Sequence, residues 1–505
     1  MAEVRLSREM ATVYDVCAAP TQGFFLSWPR GGADGEDFRP SFLAERILRI
    51  FPSALFRKEE ELKGRHRLAS PIPALDAAAV RIGRGGGETL LSFLEQSEEF
   101  LAPAARIRRA AALRRGALSP SAVETLYGRK VRMSASRMDA FQSCHFFYFM
   151  RYGLRAKPRK QARFDAPEMG AFIHYVLEKT LSKAAKLGGV ARVNGDWLRA
   201  ACRESMLQYA QEELGGLENK TKRFRYLFRR LFQTVFLILE NVAEELRVSD
   251  FQPISFELGF GDPGDLPPVE LEVNGFTLSV SGFVDRVDGW EKDQKLYLRV
   301  VDYKTGRKKF DLTEIWNGMG MQLLLYLFAL GQEGKLLYGK EVVPAGVLYL
   351  PARRVVLQGS RKMTKEEYRR KTDAELLRRG LLLNSPEVLS AMEHWEEGTV
   401  RFLPVKVNAK TGAVTGDALA TAAQFEKLSH HLNRLLRQIA GELQTGNVNA
   451  DPWHRGNGQS ACLFCPFAGA CQFDESCGDK KRYLPSVTNA EFWARLEEAR
   501  PEKQD

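Results

Sequence analysis

The clearest hydrophobic patterning lies in the middle of the chain. Residues 295–303, Lys-Leu-Tyr-Leu-Arg-Val-Val-Asp-Tyr, are rich in β-branched and aromatic types and stop at Thr305-Gly306, which predicts a strand. Residues 278–285, Leu-Ser-Val-Ser-Gly-Phe-Val-Asp, predict a second strand ending at Asp285, and a turn around Asp288–Asp293 makes the two a hairpin. Val342–Leu350 predicts a further strand. Helical patterning covers Gly170–Glu178, residues 190–250, the apolar stretch from about Met319 to Leu330, a charged stretch between Thr364 and Met392, and Gln424–Thr445 before Gly446. Ser136 and Asp139 read as a capping box opening a helix. Strands mixed with helices in this way predict an α/β fold.

Several polar residues interrupt these apolar elements. Side chains alternate along a strand, so Asp302 and Lys304 share one face. His174 and Glu178 are four apart and share a helix face, as do Gln322 and Tyr326. Each pair alone is read most simply as satisfied buried polar groups or solvated charges. Two carboxylates at neighbouring strand ends also suit a hard cation such as Mg²⁺ (or Mn²⁺), which takes oxygen ligands and keeps waters. Such an ion polarises a phosphoryl group and lowers the pKa of a bound water, and a lysine beside it positions that water or offsets developing charge.

The order Gly170-x3-His174-x3-Glu178, Gly282-x2-Asp285-Arg-Val-Asp288, Asp302-Tyr-Lys304-Thr-Gly306 and Gln322-x3-Tyr326 resembles the RecB-type branch of the PD-(D/E)XK nucleases. Along nearly the whole chain the likeness is to the AddB component of bacterial AddAB helicase–nucleases. The resemblance implies a restriction-endonuclease-like core, a mixed sheet flanked by helices, that hydrolyses DNA phosphodiesters as an exonuclease. It implies that His174, Asp285, Asp302 and the Tyr303 carbonyl bind metal and that Lys304 is the catalytic lysine. Gln322 and Tyr326 then contact DNA or brace the site, with Glu178 in support. It further implies single- or double-stranded DNA as substrate, an AddA-like helicase–nuclease subunit as heterodimer partner, and a role in double-strand break resection and recombinational repair. Val13–Pro29 is similar to the end of the helicase-like part, with Thr21-Gln22-Gly23 where the family usually has Thr-Arg-Ala. The expected domains are 1–60 (end of the helicase-like domain), 61–130 (basic helical connector), 131–480 (nuclease domain) and 481–505 (C-terminal tail). The sequence matches the C-terminal part of longer subunits. Two other readings stay open: a stand-alone iron–sulfur exonuclease like the CRISPR adaptation nucleases, and a non-catalytic DNA-binding scaffold.

Seven cysteines, an odd count with no signal peptide, argue for a reducing cytoplasm rather than a disulfide framework. Cys462-x2-Cys465-x5-Cys471 is a dense thiol group. Its chemistry says metal, and zinc would want a fourth ligand such as Cys477 or His454. The resemblance instead implies that Cys144 joins Cys462, Cys465 and Cys471 around a 4Fe–4S cluster, stapling the two ends of the nuclease domain. Cys144-His145-Phe146 stands where the family usually has Cys-Pro-Phe, which makes His145 another zinc ligand to weigh. Cys17 and Cys202 carry no expected role.

Net charge changes the picture through its distribution. The chain carries +11, yet residues 101–160 alone hold fourteen Lys/Arg and two Asp/Glu. Arg106, Arg108, Arg109, Arg114 and Arg115 open this stretch; Arg151, Arg155, Lys157, Arg159 and Lys160 close it. Lys220–Arg230 interleaves cations with aromatics, a pattern that suits a single strand of nucleic acid. No apolar run is long enough to span a membrane. The absence of Gly-x4-Gly-Lys-Ser/Thr predicts that this chain does not hydrolyse ATP alone.

Overall fold

The β-branched, aromatic run that predicts a strand folds as one, β6 (Lys295–Lys304), and lies at the centre of the chain's largest sheet. The computed structural model describes every residue except 1, 30, 32–37, 55–58, 83–85, 114, 158–165, 219, 262–263, 356, 358–362, 396–398, 409, 457 and 499–505. The candidate DNA-contacting residues Arg114, Arg159 and Lys160 lie outside the described residues. Two compact units are present, Met1–Leu113 and Arg114–Asp505. The first is helical, and Ala78, Leu91 and Ala104 form a small core between the helices Pro71–Arg81, Gly87–Leu94 and Glu98–Ala112.

The second unit contains a six-stranded mixed sheet. Its order is Leu419–Ala420, β8 (Arg379–Leu383), β7 (Glu341–Pro351), β6, β5 (Gly282–Lys292) and β2 (Gln252–Phe260). β6 and β7 are parallel, whereas β5–β6, β2–β5 and β7–β8 pair antiparallel. Parallel neighbours need a crossover, and the helix Gln322–Tyr338 supplies it, packing on β6 and β7. β6 is buried through its middle, with Val300 and Val301 fully enclosed. Such burial explains a continuous apolar run rather than an alternating one. A smaller sheet orders β1 (Lys130–Met133), β4 (Phe276–Val280) and β3 (Val269–Val273).

The structure revises several local expectations. The strand expected over 278–285 is two strands in different sheets, broken at Ser281. The hairpin turn is at Asp293-Gln294, both at positive φ, so Asp285 sits early in β5 rather than at its end. Asp288, expected in the turn, is fully buried in β5 because Arg286 and Arg299 satisfy it. The charged stretch 364–392 is not one helix, since β8 divides it. The cap of the helix Ala135–Ser143 is Ser134, which accepts from the Arg137 amide; Asp139 instead accepts the Gly320 amide at 2.8 Å. Beyond residue 480, the helix Asn489–Glu498 buries Phe492 edge-on against Trp316. Among the described residues no helix is long and apolar enough to cross a membrane.

Candidate active site

Three elements meet at the expected acids. β5 carries Asp285, β6 carries Asp302 and Lys304, and the helix Ala166–Lys186 carries His174. Tyr303 N–H donates to Asp285 Oδ2 at 2.7 Å, which fixes one carboxylate oxygen to the neighbouring strand. His174 Nε2 donates to the Tyr303 carbonyl at 2.8 Å, and its Nδ1 stands 3.3 Å from Asp285 Oδ1. Lys304 Nζ lies 2.6 Å from Asp302 Oδ2. The structure thus brings His174, Asp285, Asp302, Lys304 and the Tyr303 carbonyl to one place.

One member of the site escaped the sequence reading. Glu257 on β2 lies opposite Asp285, between the pairs Phe256–Arg286 and Leu258–Val284. His174, Glu257 and Asp285 each offer a ligand atom, all within 4.8 Å of one another. Glu257 has φ +46, an uncommon conformation for a residue with a side chain and one found where a site demands it. The only sequence signal is a lone acid in Ile-Ser-Phe-Glu-Leu, and its significance depends on which strand it faces.

Like charges crowd here. Burial and the Asp285 carboxylate push Asp302 up to about 6, against the pull of Lys304 and His174. Burial and Asp285 push Glu257 up to about 7. Burial disfavours the His174 imidazolium, but Asp285 and Asp302 outweigh it and raise its pKa. Carboxylates that resist ionising together form a set that a cation relieves. The donors, carboxylates with one imidazole, fit a divalent ion of the Mg²⁺ or Mn²⁺ kind.

Tyr326 stands on the crossover helix within the field of Asp285 and Asp302. It is buried, stacks on Phe260 with centroids 5.1 Å apart, and hydrogen-bonds with Gln322. A Cβ on Gly282 would meet its hydroxyl at 1.8 Å, so only glycine fits there. Gln322 begins its helix and is half-buried. Glu178 pairs with Lys179 at 3.0 Å.

The cysteines converge separately. Cys144, Cys462, Cys465 and Cys471 line one pocket of about 660 Å³. Burial raises the Cys144 thiol to about 11 and shifts Cys462 and Cys471 upward as well. Burial thus favours the protonated thiols of Cys144, Cys462 and Cys471, and a bound cation would favour their thiolates. Arg115 donates to the Cys471 carbonyl and pairs with Asp479, joining the start of this unit to the thiol loop. His145 is not free to serve as a zinc ligand: Nδ1 lies 2.6 Å from Asp451 and Nε2 3.3 Å from Glu442. His454 packs edge-on against Tyr483, and Cys477 is exposed. Four cysteines lining one pocket fit a thiolate-bound metal group, whether zinc or iron–sulfur.

The basic, aromatic stretch 220–230 divides. Phe228 is buried against Phe172, beneath the His174 helix, while Tyr226 remains exposed beside Arg230.

An acid-bearing hairpin inside a mixed sheet, with Asp-x-Lys on its second strand and a histidine-bearing helix beside it, defines a nuclease class. The family description of the PD-(D/E)XK nuclease superfamily matches residues 132–472, and the chain belongs to that superfamily. Over 98% of its length it is similar, at 29% identity, to the B component of the ATP-dependent helicase/deoxyribonuclease of Ruminiclostridium cellulolyticum, covering 45% of that protein. The protein of the same name from Clostridium acetobutylicum is 27% identical over 98% of this chain, and that from Acetivibrio thermocellus 29% over 94%. The chain spans 45%, 44% and 43% of these three relatives, less than half of each.

Proposed function

We propose that this chain is a Mg²⁺- or Mn²⁺-dependent deoxyribonuclease that cuts single-stranded DNA within an AddAB-type helicase–nuclease, in double-strand break resection. The observation that carries the reading is the convergence of His174, Glu257 and Asp285 within 4.8 Å, beside the Asp302–Lys304 pair. When bound, the divalent ion supplies Lewis acidity and a water of lowered pKa. His174, Glu257, Asp285 and Asp302 would hold it. Lys304 would present its ammonium to the phosphoryl oxygens that gain negative charge as phosphorus becomes pentacoordinate, and would orient the attacking water. Asp285 is held in place by the Tyr303 amide, and Tyr326 packs the start of β5 against the crossover helix. The partner is an AddA-like helicase that feeds the strand. Cys144, Cys462, Cys465 and Cys471 would hold a 4Fe–4S cluster whose work is structural. It closes a loop of more than 300 residues, removing entropy from the unfolded chain in proportion to ln n.

The test uses anaerobically purified full chain and labelled single-stranded DNA. Cleavage with Mg²⁺ but not with EDTA, by protein showing the visible absorption of thiolate-bound iron, is the expected result. Active but colourless, zinc-loaded protein returns the thiols to zinc. DNA that is bound yet uncut in Mg²⁺ makes the chain a scaffold.

A further inference from the structure

After β6 the chain runs Gly306-Arg307-Lys308-Lys309, and after β7 it reaches Arg353. The two strands are parallel, so both segments leave the same end of the sheet, where ligands of parallel strands are commonly held. β8 begins at Arg379 opposite Tyr349 and brings a further cation to that end. These segments line a pocket of about 150 Å³ that they share with Lys304. Six cations line it (Lys304, Arg307, Lys308, Lys309, Arg353 and Arg379) against a single carboxylate, Glu375.

Four of the six are engaged. Lys304 pairs with Asp302, Lys308 with Glu314 at 2.6 Å, and Arg353 and Arg307 both reach Glu375, at 2.5 and 3.8 Å. Lys309 and Arg379 are exposed and form no ion pair with the described residues. Cations from three separate elements therefore surround a space suited to a single anionic group. The sheet order places this pocket on one side of β6 and the Glu257–Asp285 acids on the other, with Lys304 common to both.

We propose that the pocket is a phosphate subsite: it takes the backbone phosphate next to the scissile one, with Lys309 and Arg379, the two of its cations outside any direct ion pair among the described residues, as its main contacts. This rests on the nuclease reading. The strand then crosses the ends of β5, β6 and β7, and the subsite fixes which phosphate reaches Lys304.

The test compares the full chain with Lys309→Glu/Arg379→Glu on labelled single-stranded DNA. KM is expected to rise about tenfold more than kcat falls, a loss of ground-state binding. In EDTA, the slope of log affinity against log salt is expected to weaken by about 0.7, the value for one lost single-strand phosphate contact. A neutral methylphosphonate at the linkage next to the cut should weaken binding to the parent and leave Lys309→Ala/Arg379→Ala indifferent. Lys309→Ala/Arg379→Ala, with matched thermal unfolding, separates these effects from misfolding. An active parent whose variants keep its KM and salt slope overturns the subsite. A parent that does not cut overturns the nuclease reading and the subsite with it.

Discussion

Asp302→Asn is expected to lower metal-dependent DNA cleavage about 1,000-fold, ~4 kcal/mol of barrier, while leaving the fold intact. The substitution is nearly isosteric and removes one negative charge from a site that gathers several. Asp302 is buried beside Lys304 and faces the field of Asp285. Burial and the Asp285 carboxylate hold its pKa above the ordinary carboxylate range. A carboxylate with a raised folded pKa is a cost to the native state at neutral pH, when it must ionise. In EDTA the asparagine variant should therefore unfold at the same temperature as the parent or higher. Loss of cutting with stability retained marks a chemical role; loss of both marks a folding defect. A variant that still cuts at the parental rate removes Asp302 from the mechanism.

Glu245→Ala should cost about 3–5 kcal/mol of stability, the largest effect expected away from the site. Glu245 is fully buried and accepts from Arg378 Nε at 3.1 Å and Nη2 at 2.8 Å. Arg299 Nη2 lies 3.3 Å away, and Arg299 also donates to Asp288, which binds Arg286. Truncating Glu245 leaves three enclosed guanidinium groups, those of Arg286, Arg299 and Arg378, with Asp288 as the carboxylate that Arg286 and Arg299 still contact. The same chain of charges ties the helix Lys222–Arg247 to β5 and β6, the strands that carry Asp285 and Asp302. Burial opposes ionisation of Glu245, but Arg378, Arg299 and Arg286 outweigh it and hold the group down to about 2. A depressed carboxylate stabilises above its unfolded pKa and stops doing so as pH falls through the folded one. Urea unfolding should show the parent losing this stability from about pH 4.5 down towards 2, and Glu245→Gln should flatten that limb.

The chemistry read from the sequence is the chemistry that is local. Asp302 and Lys304 face one way because a strand alternates, and His174 and Glu178 share a face because a helix turns every 3.6 residues. Both relations survive folding unchanged. What was misread depends on distant partners. Asp288 looked like a turn residue because a charge in a strand interior is unfavourable, until Arg286 and Arg299 neutralise it. The stretch between Thr364 and Met392 reads as a charged helix, yet β8 divides it, and Arg378 just before β8 is buried on Glu245 more than a hundred residues away. Glu257 gains meaning only from the register that sets it across from Asp285. Asp139 had the spacing of a cap, but Ser134 was the nearer acceptor and Gly320 the nearer donor.

The central claim is that His174, Glu257, Asp285 and Asp302 form one divalent-cation site next to Lys304. Anomalous scattering from a crystal of this chain soaked in Mn²⁺ tests it most directly. The account predicts a manganese peak bounded by those four side chains, and its disappearance in Asp285→Asn. A site that stays empty, or manganese bound only elsewhere, would contradict it.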